Sequence, residues 1–549
     1  MKIIRILSYC MTAAVLIASC GKDETPAPIV RPGGGGTADE KPSQGDDTEL
    51  VEGMDWCGTV TDTDGNPVKG VTVSDGYACT VTDDKGAYQL RKGSDKALRI
   101  NISLPAEYEV PIENGLPCFW QEIRSGQTRY DFKLTPLKSR ETGFYLYCLA
   151  DPQCQNTTRH TKRFVNESVT DLKAYVEANS DLPAYGITLG DVGYNTQSID
   201  YNKSNNVFSV MRSAMASTKT GIPVFQVIGN HDNSVLVGNT TYNEDGDIKM
   251  EEAFANVFGP VNYSFNRGNA HIVAMDNILA TDPEKVYGCG FRDDQLEWLK
   301  QDLSYVSKDK LLILCVHIPL YYSTSKQNVG AVLDLCNQFT ECHIMSGHTH
   351  KMINSPKPGS RENIYEHTHG AVCGAWWWST VNTDGTPNGY GIYKVEGNHI
   401  SDWKYKGVNM EETEQIRMYR GNLPYMDGYA VQFSFPSTGS GDIWANIWNW
   451  DSDWTADVYE NGVKTGSMSR YSNGSDAWAA GYHIGVAGRS NSSTYNPTNI
   501  THMFKYTLKD ASCTDVEIRA TDRNGRTYSC KKFTSNTRED FPMAPGDNY

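Results

Sequence analysis

Between residues 142 and 405 the chain alternates short apolar runs with longer stretches that carry apolar residues on one helical face. Residues 144–150, 185–189, 224–228, 271–275, 311–316 and 342–345 read as apolar runs of strand length, which predicts strands buried on both sides. Residues 168–178 and 205–216 have helical spacing, the latter with Val207, Met211 and Met215 four residues apart. Residues 293–303 place Leu296, Leu299 and Leu303 on one face with Trp298 beside them. Strand and helix alternating in this way predict a layered α/β domain.

The pattern differs on either side. Residues 57–134 contain short β-branched runs broken by turn signals such as Asp64-Gly65-Asn66-Pro67 and Asp84-Lys85-Gly86, which predicts a small antiparallel sandwich. Nothing in that stretch looks catalytic, and a spacer is its expected role. From residue 407 to 541 the chain is again strand-like, with alternation over 429–435 and the turns Glu460-Asn461-Gly462 and Arg523-Asn524-Gly525. Trp444, Trp448, Trp450, Trp454 and Trp478 crowd this stretch; core packing is expected of them, and stacking on a sugar is the alternative.

The first residues are an address rather than a fold. Lys2 and Arg5 precede an apolar stretch from Ile6 to Ala18, and Ser19 and Cys20 follow, which is signal-peptide order. Leu16-Ile17-Ala18-Ser19-Cys20 resembles a bacterial lipobox, which implies acylation of Cys20 as the first mature residue. Lys22-Asp23-Glu24 resembles the acidic signal that sends Bacteroidetes lipoproteins outward, so the expectation is a lipid anchor in the cell outer membrane, facing outward, with a periplasmic face as the alternative. Residues 21–53, with Gly33 to Gly36, several prolines and many acids, have the composition of a flexible tether. The expected organisation is therefore a signal at 1–19, lipidated Cys20 and linker at 20–53, and domains at 54–138, 139–406 and 407–541.

Length and charge narrow the function. The 549 residues predict three or four domains. Fifty Lys+Arg against sixty-six Asp+Glu give a net charge of −16, or −18 once Lys2 and Arg5 are removed, and there is no basic run. That balance argues against nucleic acid as a partner and disfavours a nuclease. The apolar stretch near the start is shorter than the ~20 residues needed to span a bilayer, so contact with membrane is expected only through the anchor. Cys148, Cys315 and Cys342 sit in apolar runs and read as buried thiols, whereas Cys513 and Cys530 could bridge.

In an open α/β sheet, chemistry gathers beyond the carboxyl ends of the strands. The residues that follow the apolar runs here are Asp151-Pro152-Gln153, Gly190-Asp191, Gly229-Asn230-His231-Asp232, His317 and Gly347-His348-Thr349-His350. Each alone has a bland reading as turn chemistry or a satisfied core histidine. Together they form a set of oxygen and imidazole donors without clustered thiolates, which suits two divalent ions of the manganese, iron or zinc type.

These motifs resemble the five motifs of the calcineurin-like metallophosphoesterases, over about 250 residues. The flanks resemble the N-terminal carboxypeptidase-regulatory-like β domain and the C-terminal β domain that accompany this catalytic domain in one exported bacterial subfamily. The resemblance implies a four-layer αββα sandwich between two all-β sandwiches, and a binuclear-metal phosphomonoesterase or phosphodiesterase. Carried over residue by residue, it assigns Asp151, Gln153, Asp191 and His350 to one metal, and Asp191, Asn230, His317 and His348 to the other, with Asp191 bridging. Two cations about 3.5–4 Å apart can activate a shared water and neutralise phosphoryl charge. His231 is implied to assist the leaving group, and Asp232 to orient rather than react. Gln153 departs from the commoner histidine; an amide oxygen is a harder, weaker ligand that favours manganese or magnesium. The residues after Asp191 and after Asn230-His231 lack the acid, arginine and glutamate of the phosphoprotein phosphatases.

His367 and His369, followed by Trp376, Trp377 and Trp378, read as supporting or structural, and His343 as core. Tyr321 and Tyr322 are candidate rim residues. The expected substrate is a small phosphate ester or a phosphorylated glycan or lipid. The alternative is a non-catalytic surface protein that binds phosphate or phosphoglycan.

Overall fold

In the computed structural model, two sheets packed face to face form the middle of the chain. The first has strand order Val224–Phe225, Ala184–Thr188, Gly143–Leu149, Gly389–Glu396, His399–Gly407; its first three strands are parallel and its last two antiparallel. The second runs Tyr263–Arg267, Ala270–Ala274, Leu311–Cys315, Glu341–Ser346, Ile364–Thr368, Ile353–Pro356, with its four central strands parallel. The structure describes residues 49–155, 158–194, 207–233, 244–279, 287–321, 323, 326–374, 379–422, 438–471, 475–486 and 500–534. The signal, Cys20, the tether up to residue 48, Tyr322, Trp376 to Trp378 and the alternation at 429–435 lie outside them.

Period-two alternation assigns each face. Leu311, Ile313 and Cys315 point between the sheets with Leu146, Cys148, Ile187, Ile272 and Met345. Leu312, Leu314 and Val316 point outward, onto Leu296, Leu299, Leu303, Val332 and Leu333 of the helices Asp293–Ser304 and Val329–Cys336. On the opposite side Tyr147, Leu149, Val224 and Ile392 meet Leu172, Val176, Phe208, Met211, Phe254 and Phe258 from helices Thr170–Ala178, Val207–Ala214 and Glu244–Phe258. Helix, sheet, sheet and helix make the four-layer αββα sandwich.

The apolar runs became strands within a residue or two of their expected bounds, except that residues 226–228 continue as irregular chain after Val224–Phe225. The expected helix at 168–178 starts at Thr170, because a π-helical segment, Val165–Val169, and the helix Thr158–Phe164 precede it.

Two β bodies flank this core. The amino-terminal one pairs a three-stranded with a four-stranded sheet and packs against the core. Phe119 packs on Phe225 and Tyr263 at 6.0 and 5.0 Å between ring centres, Trp298 Nε1 donates to Ser74 Oγ at 3.0 Å, and its apolar residues continue the inter-sheet core. The carboxyl-terminal body is a sandwich of two four-stranded sheets around Met418, Ile443, Ala445, Val458, Phe504 and Ile518. Asn461 and Gly462, with φ of 49° and 78°, close the hairpin between Thr455–Glu460 and Val463–Ser467. Trp444, Trp448, Trp454 and Trp478 are buried. Cys148, Cys315 and Cys342 are buried thiols, and Cys513 and Cys530 are free rather than bridged.

Candidate metal centre

The strand ends of both sheets meet at one rim. The first sheet supplies Asp151, Gln153, Asp191 and Asn230, each on the loop after its strand; the second supplies His317, His348 and His350 in the same way. Asp151, Gln153, Asp191, His348 and His350 all have positive φ, between 42° and 67°. Such backbone is uncommon outside glycine, and each instance costs on the order of 1–3 kcal/mol. Five strained residues among seven candidate ligands mean that the surrounding fold imposes the arrangement.

Two glycines permit the close approach. Gly190, at φ +84°, lies so near His317 that a Cβ would stand 2.4 Å from its Nδ1. A Cβ on Gly229 would stand 2.0 Å from the Asp191 backbone nitrogen.

Asp191, His317 and His348 bring one ligand atom each to within 4.8 Å of one another. His317 Nδ1 lies 2.8 Å from the Leu189 carbonyl oxygen, to which it donates, so Nε2 presents its lone pair inward. That nitrogen faces Asn230 Oδ1 at 2.9 Å, His348 Nδ1 at 3.2 Å and Asp191 Oδ1 at 3.3 Å. Asn230 Oδ1 is also 2.9 Å from His348 Nδ1. One proton can bridge only two of these four electron-rich atoms, whereas a divalent cation satisfies them all, so the donor set fits a metal ion.

The second group adjoins the first through Asp191. Gln153 Nε2 donates to Asp191 Oδ2 at 2.6 Å, and the Gln153 backbone N–H donates to the Asp191 carbonyl at 2.8 Å. His350 Nε2 lies 3.4 Å from Asp151 Oδ1, and the His348 backbone N–H donates to Asp151 Oδ2 at 2.9 Å. Asp191 thus touches both groups, with one carboxylate oxygen toward each.

Burial opposes charge on Asp191, but the imidazoles of His317, His231 and His348 outweigh it and hold the carboxyl far below its usual range. Burial would lower His317, yet Asp191 and then Asp151 raise it to about 9, so a cation taking up the Nε2 lone pair would displace a proton. His348 is pushed down to about 3 by burial and by its neighbour His317.

His231 is half-buried; its backbone N–H donates to Asp191 Oδ1 at 2.8 Å, and its ring lies 4.9 Å from that of Tyr194. Asp232 is fully buried, and its carboxylate accepts the backbone N–H groups of Val192, Gly193 and Gly229 at 2.9, 2.7 and 3.0 Å. It clasps the loops that carry Asp191 and Asn230 together. Burial, then the Asp191 charge, raise its carboxyl to about 8.

The other histidines are engaged elsewhere. His369 reaches the Ser346 carbonyl and Tyr393 OH at 2.9 and 2.8 Å. His367 lies between His343 Nδ1 and Asn354 Oδ1, each at 2.9 Å, and His343 reaches Glu341 Oε1 at 3.0 Å. Burial, then the Glu366 charge, push the Tyr321 phenol up to about 12. Tyr287 was not foreseen: its ring meets His348 edge-on at 6.0 Å, and burial followed by the Asp191 and Asp151 charges raises its phenol to about 12. A lone tyrosine before the two-residue strand Gly288–Cys289 carries no sequence signal of that placement.

Three family models match the sequence in chain order: the N terminal of calcineurin-like phosphoesterase over residues 54–137, calcineurin-like phosphoesterase over 149–352, and the C terminal of calcineurin-like phosphoesterase over 366–528. No curated protein matches the chain. Among solved structures, a dimetal phosphatase from Danio rerio is similar at 13% identity and TM-score 0.33, covering 49% of this chain and 96% of its own. The 5'-nucleotidase from Candida albicans is similar at 10% identity and TM-score 0.31, covering 59% and 74%. A 5'-nucleotidase precursor from Thermus thermophilus gives 12% identity and TM-score 0.29, covering 70% and 88%. With its three matched segments in order and its donors gathered at one rim, the chain belongs to the calcineurin-like phosphoesterases and is a metallophosphoesterase.

Proposed function

We propose that the chain hydrolyses a small phosphate ester, or a phosphorylated glycan or lipid, outside the cytoplasm. Asp151, Gln153, Asp191 and His350 would hold one divalent ion, and Asp191, Asn230, His317 and His348 a second. When bound, such ions lower the pKa of water and neutralise charge on the phosphoryl oxygens. The observation that carries the reading is the convergence of Asp191, His317 and His348 within 4.8 Å, with Asn230 between the two histidines.

The chain's own residues supply the rest. Asp191 is anchored by the His231 N–H on one oxygen and by Gln153 on the other, so its carboxylate cannot swing. His317 is locked in one tautomer by the Leu189 carbonyl. His231, the motif's histidine outside the ligand set, is half-buried beside Tyr194 and would hand a proton to the departing alkoxide; general acid catalysis of this kind contributes roughly 10²–10⁴-fold. Only the amide oxygen of Gln153 can ligate, which favours manganese or magnesium over zinc at the first position.

Cys20 would carry a lipid that anchors the protein to the cell outer membrane, with residues 21–53 as the tether, facing outward. Among the described residues no helix is long and apolar enough to cross a membrane.

The reading is tested by hydrolysis of a chromogenic phosphodiester and the matching monoester with added manganese or zinc, alongside His231→Ala. Metal-dependent turnover that falls by about 10²–10⁴-fold in the variant, with metals still bound, is expected. No turnover of either ester by folded, metal-loaded protein would count against hydrolysis of simple esters and for a phosphate-binding role.

A further inference from the structure

Past its carboxyl end, the strand Ala270–Ala274 continues through Asp276 and Asn277 into a hairpin, Ile278–Leu279 paired antiparallel with Gly288–Cys289. Ala270–Ala274 lies parallel to and beside Leu311–Cys315, so the hairpin leaves the sheet next to the loop that carries His317. That edge is where an open α/β sheet receives its ligands.

Asn277 bolts the hairpin to this loop. It is fully buried; Oδ1 accepts the backbone N–H groups of His317 and Ile318 at 3.2 and 3.0 Å, and Nδ2 donates to the Ile318 carbonyl at 2.6 Å and to Cys289 Sγ at 3.7 Å. Its own carbonyl accepts the Gly290 N–H at 3.1 Å. A side-chain amide offers two donors and two acceptor sites, and all of them are used here, which fixes one arrangement of hairpin and loop.

Tyr287 stands directly before the second strand of this hairpin, and its ring meets that of His348 edge-on at 6.0 Å. The residue is half-buried, and its hydroxyl makes no hydrogen bond with a described residue. Other enclosed phenols do find protein acceptors: Tyr185 donates to Glu141, Tyr390 to Asp171 and Tyr405 to the Pro387 carbonyl. A half-buried phenol with no protein acceptor keeps its O–H for solvent or for a ligand. Beside a centre that would hold a phosphate ester, the matching acceptor is an anionic phosphoryl oxygen, and hydrogen bonds to charged oxygens are the strong ones.

We propose that Tyr287 is a substrate-contacting residue whose phenolic O–H donates to a non-bridging oxygen of the phosphoryl group at the metal centre. The proposal rests on the phosphoester reading above and adds to it a contact that none of the ligand motifs carries.

The test compares wild type with Tyr287→Phe, each as the full mature chain loaded with manganese. Hydrolysis of the chromogenic esters is one readout, and calorimetric binding of inorganic phosphate is the other. The variant keeps the ring against His348 and removes a hydroxyl without a protein acceptor, so fold and metal content are retained. Its kcat/KM is expected to fall by about 10–100-fold, and its affinity for inorganic phosphate by about tenfold. Unchanged kcat/KM in an active protein would overturn the proposal and leave ester hydrolysis standing. Loss of a metal ion from the folded variant would also overturn it, by making Tyr287 a ligand. If wild type turns over neither ester, the hydrolytic reading fails and phosphate binding alone decides: weaker binding in the variant supports the contact, and equal binding, or none in either protein, overturns it.

Discussion

His317 and His348 bring ring nitrogens to 3.2 Å with their rings 77° apart, although they follow different strands of the six-stranded sheet, and Asn230 from the other sheet sits against both. Two lone pairs converge in this way around a shared cation. His317→Ala is therefore expected to lose one divalent ion per chain by elemental analysis. Its affinity loss should exceed the roughly 10–100-fold that follows removal of an outer hydrogen-bond partner. Retention of two ions by the folded variant would remove His317 from the ligand set.

Gly229 tests how tightly the loops are set. A methyl at this position would stand 2.0 Å from the Asp191 nitrogen and 2.3 Å from its Oδ1. Both neighbours are fixed, one being backbone and the other a carboxylate already holding the His231 N–H. Gly229→Ala is expected to cost about 1–3 kcal/mol in chemical denaturation, as overpacking does, and to weaken metal binding in parallel. Unchanged stability and metal content would mean that the two loops have slack.

Gln153 sets the character of the first metal position. Replacing an amide oxygen by an imidazole should shift preference toward zinc, with Gln153→His gaining about tenfold in zinc affinity, or 1.4 kcal/mol, over wild type. Competition titration of zinc against manganese reads this. Identical selectivity in the two proteins would show that Gln153 does not ligate.

Much of this arrangement was legible because its signals are local. The apolar runs of Phe144, Leu146 and Cys148, or of Leu311, Ile313 and Cys315, are buried on both faces, so their composition alone marks them as strands. The donors follow those runs directly. What was not legible depends on distant partners. The positive φ of Gln153 is imposed by packing at the rim, and no preference of glutamine predicts it. Helix Glu244–Phe258 begins with a strongly polar turn that masks its apolar face. The docking of the amino-terminal body was not legible because the contact of Phe119 with Phe225 and Tyr263 joins residues more than a hundred positions apart. Tyr287 reached the centre for the same reason.

Glu366 offers a test of electrostatics behind the rim. Its carboxyl is fully buried; Oε1 accepts the Leu320 N–H at 2.6 Å, while Oε2 has no hydrogen-bond partner among the described residues. Burial pushes it up to about 8, against about 4.3 for an exposed glutamate. Between those values the folded chain retains a proton that the unfolded chain has released. The unfolded state then binds fewer protons, and stability falls as pH rises. Above about 8 the folded carboxyl is ionised as well, and this contribution levels off. Glu366→Gln cannot ionise and keeps an oxygen for the Leu320 N–H, so it lacks this decline. The melting temperature of the variant relative to wild type should therefore climb between pH 5 and about 8 and then hold steady. A gap that stays constant across that range would mean that Glu366 is already ionised in the folded protein at pH 5.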